Sequence, residues 1–300
     1  MNDASQPNVT IIAGPTAGGK SAHALEYAAQ YNGVIINADS QQLYQSLPIL
    51  TAQPPHDDQQ LCPHQLYGVL DDHEFMSATK WAEQASALIK QSWENNTHPI
   101  VVGGTGFYLK ALIDGFSPIP GVPLSVREKW NNVFDDIGAE NFHAELESVD
   151  PIMADKLHPH DKQRLIRARE VLDYTGTSLA TWQSKPNEQI LPEAIYNVIL
   201  VMPERDKLYA RCNARLGMMM DMGVMDEIMA LHERLLDKNA PVTKAIGYHE
   251  LLSYGLGQST RDQAIELAAQ ITRNYAKRQV TWFRNQIKKQ KNVAQVQHSM

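Results

Sequence analysis

The stretch "TIIAGPTAGGKSAHAL", residues 10–25, places a short β-branched apolar run before Gly14-Pro15-Thr16-Ala17-Gly18-Gly19-Lys20-Ser21 and a helix-like pattern after it. Strand, glycine-rich turn and helix in that order make a P-loop. Consecutive backbone N–H groups, freed by Gly14, Gly18 and Gly19, point into one anion-sized hollow at a helix N-terminus. Lys20 adds a point charge, and the Ser21 hydroxyl is placed to reach a magnesium ion on bound phosphates. The motif does not choose its ligand, because any diphosphate or triphosphate ester suits it.

Three further segments look like the first strand: Val34-Ile35-Ile36-Asn37, Pro99-Ile100-Val101-Val102-Gly103 and Val198-Ile199-Leu200-Val201-Met202. Apolar runs without alternation fit strands of a parallel sheet covered on both faces. Helical stretches lie between them, from Lys20 to Tyr31 and, after an N-cap at Ser77, from Ala78 to Asn95. The pattern predicts an α/β fold, a doubly wound parallel P-loop core with ligands at the carboxyl ends of its strands. Residues 119–192 open on a proline-rich turn and carry no strand-like run, so they are expected to form a helical insertion. Residues 1–118 and 193–300 then make the two parts of the core, the second helical to the chain end beyond Met202. The Met218-Met219-Met220 run is expected to fill core.

With 43% hydrophobic and 20% charged residues the chain has an ordinary globular composition. Its net charge of −7 excludes a surface uniformly built for nucleic acid. The distribution is uneven, however. Arg261, Arg273, Lys277, Arg278, Arg284, Lys288, Lys289 and Lys291 face only Asp262 and Glu266 over the same stretch, a local excess of six positive charges. Two cysteines without paired spacing signal neither a disulfide framework nor a zinc site. No signal peptide or membrane span is visible, and a cytoplasmic location is expected. No heptad seam stands out, so a monomer is the default.

A nucleotide kinase or an RNA-binding NTPase is the obvious alternative for a P-loop chain. Neither Val101-Val102 nor Leu200-Val201 runs into an acid, so the second acidic strand motif such enzymes use is missing. The one acid at a strand end is Asp39, in "VIINADSQQLY". It suits either holding magnesium through water or acting on a second substrate above the phosphate site. The segment "VVGGTGFYLKAL" lacks the third glycine of a dinucleotide fingerprint. It reads better as a tight turn presenting Thr105 and the Gly104 backbone to the P-loop rim.

In order along the chain, "GPTAGGKS", "NADSQQLY", "VVGGTGFYLKAL", "HPHDKQRLIRAREVLDYTG", "RDKLYARCNARLGMMMDMG", "KAIGYHELLSYGLG" and "TRNYAKRQVTWFRNQ" resemble the tRNA dimethylallyltransferases, also called tRNA isopentenyltransferases. The resemblance runs over residues 8–286 and, with no zinc finger following, is to the bacterial form. It implies that the hollow holds the diphosphate of dimethylallyl diphosphate, formed by Gly14, Thr16, Ala17, Gly18, Gly19, Lys20 and Ser21, with Arg211 or Arg215 beside it. It implies that the prenyl group passes to N6 of the adenine 3′ of the anticodon in tRNA. Asp39 matches the family's catalytic acid, a general base for an amino group whose lone pair is delocalised into the ring. Thr105 matches the threonine at the reacting centre, and Arg127 joins the cations that stabilise the departing diphosphate.

By the same resemblance Mg2+ sits at Ser21. Asp39, Ser40, Gln41 and Gln42 read the flipped base or its neighbours. Gln163, Arg164 and Arg167 grip the anticodon stem-loop, and Lys244, Gly247, Tyr248, His249 and Arg278 complete the tRNA surface. Many relatives carry Ser at Gly18, Met at Gln41 and Arg at Lys244 or His249, departures that bear on tRNA preference. On a helix, Arg273, Lys277, Arg284, Lys288 and Lys291 fall on one stripe opposite Ala264, Ala268, Ile271 and Tyr275. That stripe suits an RNA backbone.

Overall fold

The structure, a computed structural model, describes residues 7–235, 237, 240–287 and the backbone of 293–299. It divides into two compact units, residues 1–114 with 190–300, and residues 115–189. The core of the first is a six-stranded sheet of β1 (Asn8–Ala13), β2 (Gly33–Asn37), β3 (His64–Gln65), β4 (His98–Gly103), β5 (Ile195–Val201) and β6 (Val293–Ser299). The strand order is β3-β2-β4-β1-β5-β6, and every pairing is parallel.

The apolar runs become strands because both faces are covered. Ile11, Ile36 and Val101 pack on one side with Trp81, Leu109 and Leu112 of the covering helices. Ile12, Ile35, Ile100 and Val102 pack on the other with Ala24 and Ala28.

The helices of the first unit are α1 (Lys20–Tyr31), α2 (Pro48–Thr51), α3 (His56–Leu61), α4 (Ala78–Glu94) and α5 (Gly106–Asp114). After the second unit they are α11 (Arg205–Asp221), α12 (Val224–Arg234), α13 (Tyr248–Gly255) and α14 (Arg261–Gln286). The expected cap is present: the Ser77 hydroxyl accepts from the Lys80 N–H. The longest helix, α14, begins with a reciprocal capping box between Thr260 and Gln263. Its residues Ala264, Ala268 and Ala269 close a second core with Leu216, Met219, Ile228, Tyr248 and Leu251. No helix among the described residues is long and apolar enough to cross a membrane.

Two expectations change. The chain is not helical to its end, since β6 extends the sheet alongside β5. A parallel sheet leaves the backbone groups of an edge strand unpaired, and a distant segment satisfies β5 here. Of the methionine run, Met219 is buried and Met220 packs against the second core, but Met218 is 56% exposed.

The second unit is helical: α6 (Leu124–Ile137), α7 (Ala139–Val149), α8 (Pro151–Lys156), α9 (Lys162–Thr175) and α10 (Leu179–Ser184). Trp130, Phe134, Phe142, Leu146 and Leu165 form its own core. The Arg169 guanidinium lies 3.9 Å over the Trp130 ring. The unit starts and ends at 115 and 189, a few residues before the 119 and 192 expected from the sequence. Phe116 and Glu188 pair there in an antiparallel bridge that ties its two ends together.

Candidate active site

Three loops meet at the carboxyl ends of adjacent strands, where ligands of open α/β sheets bind. The P-loop follows β1, the Asp39 segment follows β2, and the Thr105 segment follows β4, which lies between the other two. The loops are knit by backbone bonds. Ala38 N–H donates to Val102 O at 2.8 Å and Thr105 N–H to Ala38 O at 3.1 Å.

Leaving β1, the chain turns so sharply at Gly14 (φ +155°) that a Cβ there would stand 2.3 Å from Val201 O. Glycine is therefore required at the first P-loop position. Gly19 N-caps α1 from the left-handed region, and Ala17 adopts φ +58° without being glycine. A non-glycine residue held there is strain of the kind that functional loops retain.

The P-loop residues Thr16, Ala17, Gly18, Gly19, Lys20 and Ser21 line one cavity of about 380 Å3 together with Asp39, Arg211 and Arg215. Four of its charges thus come from three distant segments. Lys20 Nζ donates to Pro15 O at 2.8 Å. Desolvation draws its pKa down to about 8 against the raising influence of Asp39. Arg211 donates to Gly18 O at 3.1 Å, and Arg215 to Thr16 Oγ1 at 2.7 Å. Burial lowers the Arg215 pKa, and its Nε is buried with no hydrogen-bond acceptor. A desolvated guanidinium with a donor left unsatisfied is poised for an anion. Both arginines therefore reach the P-loop from one face of α11, four residues apart.

Asn37, fully buried at the end of β2, fixes the Asp39 turn. Its Nδ2 donates to Asp39 O and Leu66 O, and its Oδ1 accepts from Asp39 N–H. The Asp39 carboxylate accepts from Gln41 N–H at 3.1 Å and lines the P-loop cavity. Thr105 Oγ1 accepts from Ser40 N–H at 2.9 Å and donates to Ser40 Oγ at 3.2 Å. On the far side of Ser40 and Gln41 lies a cavity of about 170 Å3 walled by Tyr44, Phe75, Met76, Tyr108 and Lys244. One carboxylate thus stands beside an anion hollow, with an aromatic-lined pocket behind the next two residues.

The family model described as IPP transferase matches residues 42–286. The tRNA dimethylallyltransferase of Paramagnetospirillum magneticum is 44% identical over 287 residues, covering 96% of this chain and 90% of its own. That of Rhodospirillum centenum is 43% identical, covering 93% and 89%. The chain belongs to the tRNA dimethylallyltransferase family. Among solved structures, a full-length tRNA isopentenylpyrophosphate transferase from Bacillus halodurans is similar with a TM-score of 0.67 at 31% identity, over 98% of this chain and 90% of that one. A eukaryotic dimethylallyltransferase acting on tRNA reaches 0.81 at 26% identity, over 98% and 74%.

Within this tRNA dimethylallyltransferase fold, several residues expected to touch tRNA are engaged elsewhere. Gln42 Nε2 donates to Thr51 O and Ala52 O, and Gln41 Oε1 accepts from Ile246 N–H, so both amides hold loops in place. Tyr248 is 2% exposed and packs in the second core with Leu251, and the adjoining Gly247 is buried with φ +93°. A ring with no accessible face cannot meet RNA, and these two residues shape the turn into α13. Lys244, His249 and Arg278 are exposed.

Arg127, Gln163 and Arg164 are exposed on the helical unit, Arg164 near Asp161. Arg167 pairs with buried Glu170 while its own side chain stays 41% exposed. On α14, Arg273 is held by Glu266 and Asn213. Lys277 and Arg284 are exposed, and Lys288 and Lys291 lie outside the described residues.

Three further residues build the site, Tyr67 without a sequence signal and Tyr275 and Gln279 within the stretch "TRNYAKRQVTWFRNQ". Tyr275 lines a cavity with Thr16, Asp39 and Arg215, and burial raises its pKa. Tyr67, its pKa likewise raised by burial, walls the cavity near Asp39. Gln279 joins the P-loop to Gly104.

Proposed function

We propose that the chain transfers the dimethylallyl group from dimethylallyl diphosphate to N6 of the adenine 3′ of the tRNA anticodon, position 37. The observation that carries this reading is the single carboxylate, Asp39, in a hollow otherwise lined by P-loop amides, Lys20, Arg211 and Arg215. The amine nitrogen forms a bond to the allylic carbon as that carbon's bond to oxygen breaks. The N6 proton goes to Asp39 and the electron pair leaves with the diphosphate. Lys20, Arg211, Arg215 and the loop amides stabilise the charge that gathers on the leaving group, with Arg127 as a further cation. Thr105, tied to Ser40, positions the reacting centre.

A single-stranded anticodon loop gives up its base most cheaply. The 170 Å3 pocket beyond Ser40, with Tyr44, Phe75 and Tyr108, suits that base. Ser40, Gln163, Arg164, Lys244, His249 and Arg278 contribute to the tRNA surface.

Magnesium fits the donor set. The described residues contain no group of three or more acidic, histidine or cysteine side chains able to cage a metal. A magnesium ion characteristically keeps waters and binds substrate phosphates with few protein oxygens. Ser21 lines the anion cavity, and its hydroxyl would be that oxygen, the ion when bound neutralising charge on the diphosphate. The enzyme is read as cytoplasmic and monomeric.

The test is transfer of radiolabelled dimethylallyl diphosphate, with magnesium, to unmodified anticodon stem-loop RNA or to AMP. Label should enter the RNA and not AMP, and Asp39→Ala should lower the rate by roughly 100- to 10,000-fold, the range for losing a general base. No label in either acceptor, alongside ATP turnover, would revive the kinase reading.

A further inference from the structure

The face of α14 that looks into the molecule makes two contacts with the loop after β4. Gln279 and Trp282 are three residues apart, neighbours on one stripe of a helix. Gln279 Nε2 donates to Gly104 O at 2.9 Å. The Trp282 ring covers Gly106 so closely that a Cβ there would lie 2.4 Å from it. The same Gln279 amide turns its oxygen the other way, where Oε1 accepts from Thr16 N–H at 2.8 Å.

Gln279 is 5% exposed. A primary amide is the side chain that can accept from one loop and donate to another with its polar ends in a fixed relation. Buried, each bond is costly to leave unmade. The Thr16 amide is consequently held by protein, while the Thr16 hydroxyl takes the Arg215 bond. A Cβ at Gly104 would stand 2.3 Å from Gln279 Nε2, so the loop approaches as closely as glycine allows.

We propose that Gln279 is a positioning residue for the transfer reaction. It spans the P-loop and the Gly104 carbonyl and thereby fixes how far the leaving-group hollow stands from Thr105. The inference rests on the prenyl-transfer reading. Two loops from different strands carry the two halves of the reaction, and a small misplacement between them lowers the rate far more than it lowers binding. Gln279 acts through Thr16 and Gly104 and not by touching either substrate.

The experiment is single-turnover transfer at saturating donor and RNA, with melting temperature and RNA Kd measured on the same proteins. Gln279→Met keeps the length and removes both hydrogen bonds, and Gln279→Glu keeps the acceptor but cannot donate to Gly104 O. Phe283→Leu, a core substitution on the same helix, is the packing control. For either Gln279 variant the expected result is a rate at least tenfold below wild type, with RNA Kd within threefold. The Phe283 variant should lose melting temperature and keep its rate within threefold. If both Gln279 variants keep the wild-type rate, or Phe283→Leu loses as much rate at equal loss of melting temperature, the positioning role is overturned. Absence of transfer in the wild type would instead sink the prenyl-transfer reading itself.

Discussion

Lys20 shows what the surrounding protein does to one P-loop cation. Its ammonium is removed from water and its pKa falls to about 8, with desolvation outweighing the opposite pull of Asp39. The protonated form is the one that attracts a diphosphate, and it dominates only below that value. Affinity for dimethylallyl diphosphate without RNA should therefore be level from pH 6.5 to 7.5. Above pH 8 it should fall by up to about tenfold per unit, until the bound donor's own raising influence on Lys20 limits the loss. Titration calorimetry across that range checks the profile. Lys20→Arg stays protonated throughout, so its affinity, whatever its absolute value, should vary little with pH. Equal slopes in the two proteins would remove Lys20 as the titrating group.

At the scale of an element, α2 is a four-residue helix that could not persist alone. Its N-terminal amides have a cap from elsewhere in the chain: Glu227 of α12 accepts from Ile49 N–H at 3.0 Å and Leu50 N–H at 3.1 Å. The chain leaving α2 supplies the Thr51 and Ala52 carbonyls that hold Gln42, so the cap supports the Asp39 segment. Burial pushes the Glu227 pKa up to about 7, against the lowering effect of those two N–H groups. A carboxyl whose folded pKa exceeds its unfolded value contributes stability that is complete below about pH 4.5 and lost as pH rises to about 7. The melting temperature of Glu227→Gln relative to wild type should thus improve between pH 5 and 8, and a constant difference would deny the titration.

None of this was legible in sequence, whereas the four apolar strands β1, β2, β4 and β5 and the capped α4 were. Local period and cap chemistry specify those elements. α2, β3 and β6 exist through partners far along the chain, and Gln279, although it lies in a stretch that carries the family resemblance, shows what it holds only when Thr16, 263 positions away, is placed beside it. The P-loop, Asp39 and Thr105 were legible because each sits at a strand end with its own turn chemistry. Tyr248 misled because a residue in a motif can be there to pack.

For the whole molecule, the question is what the helical unit adds to a sheet that already gathers the anion hollow. Residues 115–189 have a separate aromatic core and enter and leave through one point, where Phe116 and Glu188 exchange hydrogen bonds at 3.2 and 2.9 Å. Gly115, at φ +74°, would place a Cβ 2.0 Å from Glu188 O, so the crossing depends on glycine. Replacing 117–187 with a short turn between those paired residues should leave the sheet and the P-loop cavity folded. Dimethylallyl diphosphate should then still raise the melting temperature, with an affinity loss no larger than that of Arg127→Ala in the full chain. RNA affinity should fall by more than tenfold, and its dependence on salt should flatten as phosphate contacts are lost. If the shortened protein bound anticodon stem-loop RNA as tightly as the full chain, tRNA recognition would belong to the sheet unit and α14 alone. If it lost the donor as well, the hollow would not be a property of the sheet unit alone.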